Sequence, residues 1–266
     1  MATLFDCIFK TAGFLKGLLY GQSTSAGSTT ELVDTTREEA NDYFNGGTIF
    51  FLSGSLIGKS VTIIDYSDTS HTFTFSAQSS APGSGIRYAV LSSIYSRNAL
   101  IAAVNEALSE LSPIPMIYED AAFITVADQE SYTIPDGVFN IKKVFIATSE
   151  TEPYTWQENN GWFENEGNLI FDMSIPAEDD MRIRLYYEGM HESVDSDEDE
   201  ISTSIHPDII AWSAAYKAAL VRSGIAENTE PHTKEFIGFA AQQLQRMTVL
   251  HPSRHFMKTP RSNGWG

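Results

Sequence analysis

The sequence predicts an α+β protein: a helical bundle with two inserted antiparallel β modules, each a small barrel or sandwich, and an extended C-terminal arm. Three observations predict it. Apolar residues recur at helical steps near the start, the middle and the end of the chain. β-branched and aromatic segments fill the two stretches between. The last residues lose the acidic character of the rest. Each helix carries an apolar face that it cannot bury alone, so the four helices are expected to gather, with the β modules as excursions from them. The expected order is an N-terminal helix within 1–21, a β module over 22–95, a bundle helix over 96–112 and a second β module over 113–191. An acidic loop over 192–205, two bundle helices over 206–250 and an arm over 251–266 complete it.

Residues 3–19 place Leu4, Ile8, Ala12, Leu15 and Leu19 near one helical face, widened by Phe5, Phe9 and Phe14. That width favours packing against protein over lying on a membrane surface. Gly21 to Ser28 reads as a flexible link. Strands are expected at Thr48–Leu52, Ser60–Tyr66, His71–Phe75 and Arg87–Leu91, separated by Asn45-Gly46-Gly47, Ser53-Gly54-Ser55 and Asp68-Thr69-Ser70 turns. The central helix is the clearest element. Leu100, Ala103, Val104, Ala107, Leu108 and Leu111 form one face, and Pro113 and Pro115 stop it. The second module reads as strands at Phe123–Val126, Ser131–Ile134, Ile141–Ile146, Leu169–Met173 and Met181–Tyr187. The last of these alternates most clearly, with Arg182 and Arg184 facing one way. His206-Pro207-Asp208 starts a helix that runs to Arg222, and Pro231 starts the last one.

A chain of 266 residues with 42% hydrophobic and 20% charged residues can build sizeable cores. One cysteine, Cys7, excludes an intrachain disulfide. No apolar run reaches the roughly 20 residues that span a bilayer, and Asp6, Lys10 and Lys16 break the apolar start, so no signal peptide is read there. A net charge of −18 disfavours general nucleic-acid binding, because phosphates repel it. From Gln245 onward, however, Arg246, Arg254, Lys258 and Arg261 stand without an acid. A basic end on an acidic body suggests a segment that reaches another surface.

No motif carries catalysis, and no cofactor is expected. Gly54 to Ser60 resembles a phosphate loop but has three residues between its glycines where four are needed, and a strand follows instead of a helix. It reads as a hairpin turn. Asp195, Asp197 and Asp199 have the spacing that opens a calcium loop, but Glu200 stands where glycine is required and His206 where the bidentate glutamate should be. A solvated acidic loop is preferred, with weak divalent binding or pairing with a basic neighbour as alternatives. His251 and His255 flank Pro252 and lack a cysteine pair, so no zinc site is assigned. Glu158, Glu164 and Glu166 among Tyr154, Trp156, Trp162 and Phe163 are of a kind a glycosidase or sugar-binding module uses, and equally of a kind common on β surfaces. In the arm, Arg254, His255, Phe256, Met257, Lys258, Arg261 and Trp265 mix cations with large apolar groups, which suits docking onto a partner, with a dispensable free tail as the alternative.

The ordered series from the central helix onward carries a resemblance. An A-V-N-E-A-L-S-E-L helix, a proline pair and then T-V-A-D-Q-E-S-Y-T-I-P resemble the head-to-tail connector (neck adaptor) proteins of tailed bacteriophages. The similarity extends back through Ser28–Asp34 and Asp42–Thr48, and forward through Val144–Thr148 and Ile205–Asp208. What the resemblance implies is a non-enzymatic virion protein of the neck, assembled in the host cytoplasm as a homo-oligomeric ring, a dodecamer. Its implied partners are the portal, gripped by the C-terminal arm, and a tail or neck protein below, with DNA passing transiently through the channel and no membrane contact. The alternative is a carbohydrate-binding β module of a virion appendage that uses Trp156 and Trp162.

Overall fold

Thr3 sets the first helix. Its side chain accepts from the Asp6 amide while the Asp6 carboxylate accepts from the Thr3 amide, a reciprocal cap that satisfies two otherwise orphaned donors. The computed structural model describes residues 2–149, 151–172, 180–225 and 231–250. A two-residue strand, β1 (Ala2–Thr3), leads into helix α1 (Leu4–Phe14). The helix stops short of the expected 19. Lys16 takes a positive φ of 56°, and Leu18–Gln22 becomes strand β2 because it pairs residue by residue with Arg87–Leu91.

Strands β3 (Glu31–Val33), β4 (Thr48–Phe51), β5 (Ser60–Ser67), β6 (Thr72–Phe75) and β7 (Arg87–Leu91) join β2 in a six-stranded antiparallel sheet of order β2-β7-β4-β5-β6-β3. Beyond β2, the Thr24 amide donates to the Val33 carbonyl and Ser25 bridges to Val33, so the two edges of the sheet are tied together. That leaves fewer unpaired edge groups open to other chains. Alternation puts Val61 and Ile63 inside, and a bulge between Ile63 and Asp65 turns Tyr66 inward as well. Phe44, Phe51, Tyr66, Phe73, Phe75 and Tyr88 fill this core.

A 3₁₀ turn at Ser93–Tyr95 leads into helix α2 (Arg97–Leu111), which buries Leu100, Ala103, Val104, Ala107 and Leu108, the face its spacing predicts. Leu108 is 1% exposed. Leu108→Ala should therefore cost about 2–5 kcal/mol in urea unfolding. A loss below about 0.5 kcal/mol would place it at the surface.

The described residues divide into two compact units, one running through Glu110 and resuming at Glu192, the other being Leu111–His191. The second unit holds β8 (Ile114–Ile124), β9 (Ser131–Thr133), β10 (Ile141–Ala147), β11 (Trp156–Asn159), β12 (Trp162–Asn165), β13 (Asn168–Phe171) and β14 (Arg182–Gly189). They form one sheet of order β11-β10-β14-β8 and another of order β12-β13-β9. Val144, Trp162, Leu169, Ile183 and Leu185 belong to its core. β8 is an edge strand, where the missing amide proton of Pro115 can be tolerated, so the proline that ends α2 does not prevent a strand.

The chain returns to the first unit through β15 (Glu200–Ile201), paired with β1, and ends in α3 (Pro207–Ile225) and α4 (Pro231–Leu250). α1 packs on α3, and α3 on α4. Phe14 stacks on Trp212 with ring centres 3.9 Å apart, and Trp212 meets Phe239 edge-on at 5.6 Å.

The expected helical bundle with inserted β modules is not the architecture. Among the described residues the protein is mostly β, with fifteen strands in four sheets against four α-helices. The physical reason lies in what covers the helices. Phe5 and Phe9 of α1 pack edge-on against Phe50 of β4, at 6.0 and 5.4 Å, so part of its apolar stripe is buried on the sheet rather than on other helices. Each β unit also has an aromatic core of its own.

Candidate assembly surface

The first unit carries a groove between α2 and α3. Ala99, Ala102 and Ala103 on α2 and Ala218 on α3 line it, and such small side chains leave space of about 430 Å³. Ile94 and Val221 flank it at 53% and 59% exposure. Lys217 closes one side. Its Nζ lies 3.0 Å from Glu106 and also pairs with Glu110; the lysine side chain is 7% exposed and the two carboxylates 58% and 62%. Burial alone would lower the Lys217 pKa, but its bonds to Glu110 and Glu106 outweigh that and hold it above the ordinary value. The ammonium thus ties α3 to α2 and stays charged, while the carboxylates remain open to solvent. Arg222 lies over the Tyr95 ring at 5.5 Å. Beyond that pair, a second hollow is lined by Leu15, Phe236 and Phe239.

The acidic segment before α3 is a clamp. The Asp197 carboxylate accepts from the Ser60 amide at 2.7 Å, from the Ser60 hydroxyl at 2.5 Å and from Arg97 at 3.1 Å. The Asp197 and Asp199 carbonyls accept from the Phe5 and Leu4 amides, which satisfies donors at the start of α1. Asp199 accepts from the Asp195 and Ser196 amides, and these bonds hold its carboxyl below the ordinary range. The aspartates spaced like a calcium loop therefore serve the fold. No cluster of three or more His, Cys, Asp or Glu suited to a metal occurs among the described residues.

Gly54 and Gly58 take φ of 82° and 79° in the hairpin between β4 and β5, a backbone conformation that favours glycine. Lys59 pairs with Glu198 at 2.6 Å. The segment is the hairpin its sequence predicts.

Residues 85–258 match the family model described as SU10 adaptor protein. The chain belongs to the SU10 adaptor protein family. The match takes in α2, the whole second unit, α3, α4 and so every residue that lines the α2–α3 groove. No curated protein matches the chain. The adaptor family makes this a structural protein of the phage virion, one that works through contacts with other structural proteins and with its own copies. No described helix of the adaptor is long and apolar enough to cross a membrane.

The structure separates the residues singled out as a sugar platform. Trp162 is 8% exposed and sits in the core of the second unit. Trp156 is half-buried with the Arg184 guanidinium 3.8 Å from its ring centre, and Arg182 lies similarly over Tyr154 at 4.5 Å. One tryptophan is thus inside and the other has a face occupied. Glu158 pairs with Lys143, and Glu164 accepts from the Ile141 amide. Arg254, His255, Phe256, Met257, Lys258, Arg261 and Trp265 lie outside the described residues, as does His251. Sequence reasoning missed the groove because Ala103 fits the core face of α2 equally well, and Ala99 and Ala102 beside it are too small to mark a surface. Only the approach of α3 shows that they leave space.

Proposed function

We propose that this adaptor forms a dodecameric ring in the virion neck, between the portal and a tail or neck protein below, and that residues 252–266 are the arm that docks on the portal. The observation that carries this reading is the family match, which runs to residue 258 and so enters the basic segment beyond α4. The composition of that segment supports it. It holds Arg254, Lys258 and Arg261 with no acid, and Phe256, Met257 and Trp265 offer apolar area to a partner. Cations steer such an arm toward an acidic surface. The net charge of −18 suits a channel through which DNA passes without sticking.

Deletion of residues 252–266 is the test. The truncated protein should keep the melting behaviour of the full chain and fail to join purified portal-bearing heads, scored by electron microscopy. Truncated protein that joins heads at full occupancy would put the portal contact elsewhere.

A further inference from the structure

Helix α4 turns an unusual stripe to solvent. Glu235, Phe239, Gln242, Arg246 and Val249 recur at steps of three and four, and all five are exposed. Spacing of this kind places side chains along one line of a helix, the arrangement by which helices seat in grooves. Phe239 and Val249 are 46% and 75% exposed, although residues of these types are usually covered. Arg246, between them, makes no ion pair among the described residues. The same chain carries a groove to match. The α2–α3 groove offers an apolar floor of alanines, flanked by Ile94 and Val221, with Glu106 and Glu110 exposed beside it. The chain's own α4 packs on α3, where Phe239 meets Trp212 edge-on, and still leaves Phe239 and Val249 substantially exposed.

We infer that the α2–α3 groove of one adaptor receives the α4 stripe of a second copy, with Phe239 and Val249 in the groove and Arg246 against Glu106 and Glu110. The occupant follows from charge. Of the charges at the groove, Glu106 and Glu110 are exposed, Lys217 is buried between them and Arg222 is partly covered over Tyr95, and the stripe presents a cation between its two apolar anchors. A ridge and a groove at different places on one chain associate head to tail, which closes into a ring when the rotation between copies allows it. This rests on the proposed ring and names its seam.

Charge exchange tests it. Full-length wild type, Arg246→Glu, Glu106→Arg and the double variant would be compared by sedimentation velocity across a concentration series, with thermal melts to check folding. Glu110 is left in place so that Lys217 keeps a partner. Each single reversal should weaken association by about tenfold or more, because like charges then meet. The double variant should recover most of that loss, which a mere folding defect would not do. Wild type that associates while both single variants associate equally well overturns the seam and leaves the ring reading standing, as does loss without recovery in a folded double variant. Wild type that stays monomeric at all concentrations overturns both.

Discussion

Asp34→Ala should lower folding stability by about 3–5 kcal/mol at neutral pH, because it removes one member of a buried, charged network. Asp34 is fully buried in the loop after β3. Its carboxylate accepts from the Thr36 amide at 3.1 Å, the Thr36 hydroxyl at 2.6 Å and the Tyr88 hydroxyl at 2.5 Å. Arg37 approaches it at 3.5 Å and donates to the Tyr88 hydroxyl at 3.0 Å and to the Tyr20 carbonyl at 2.8 Å. One carboxylate thus organises groups from β2, β7 and the loop beside β3. Gly21 makes room for the network, since a Cβ there would lie 2.5 Å from the Tyr88 ring and from Arg37. Burial and the bond to Asp34 push the Tyr88 phenol well up, so it stays a donor. Without Asp34, that hydroxyl and the Arg37 charge lose their acceptor.

The same carboxylate predicts an acid limb. Burial alone would raise its pKa, but the bonds from Thr36 and Tyr88 and the Arg37 charge outweigh burial and set it below the ordinary 3.8. A lowered folded value means that its stabilisation is present above the unfolded pKa and is lost as pH falls through the folded one. Urea unfolding of wild type should therefore weaken as pH falls below 3.8, and the gap to Asp34→Ala should narrow over that range. A variant within about 1 kcal/mol of wild type at pH 7 would show that the network is replaceable.

Phe73→Ala should cost a similar amount, about 3–5 kcal/mol, through lost packing rather than lost charge. Phe73 is fully buried, with ring centres 4.8 Å from Tyr66, 5.2 Å from Phe44 and 5.7 Å from Tyr88. Its neighbours come from β5, β7 and the loop before β4, so closing the gap requires two paired strands or that loop to shift. Phe73→Leu keeps most of the volume and should lose clearly less. Equal losses for the two variants in guanidinium unfolding would mean that ring contacts, not volume, dominate.

Local chemistry made much of the chain legible in the sequence. Alternation in Thr72 to Phe75 and in Arg182 to Tyr187 placed strands with the correct faces inward. The 3.6-residue period of Leu100 to Leu108 marked both α2 and its buried side. Glycine spacing and the β-branched run after Ser60 made Gly54 to Ser60 a hairpin. The ordered series from α2 through Pro207 carried the family. Periodicity, however, reports which side of an element is covered and not what covers it. Leu18–Gln22 looked like helix followed by linker until β7 supplied its partner, and residues 114–122 fell in the second β module without a strand of their own until β14 supplied theirs. The apolar face of α1 foretold burial, but Phe50 of a distant strand decided that part of it lies on a sheet. The acidic segment read as solvated, because its partners Ser60 and Arg97 are 137 and 100 residues away from Asp197. Side-chain pattern is set by neighbours in sequence; pairing, closure and the groove between α2 and α3 are set by contacts that only the folded chain brings together.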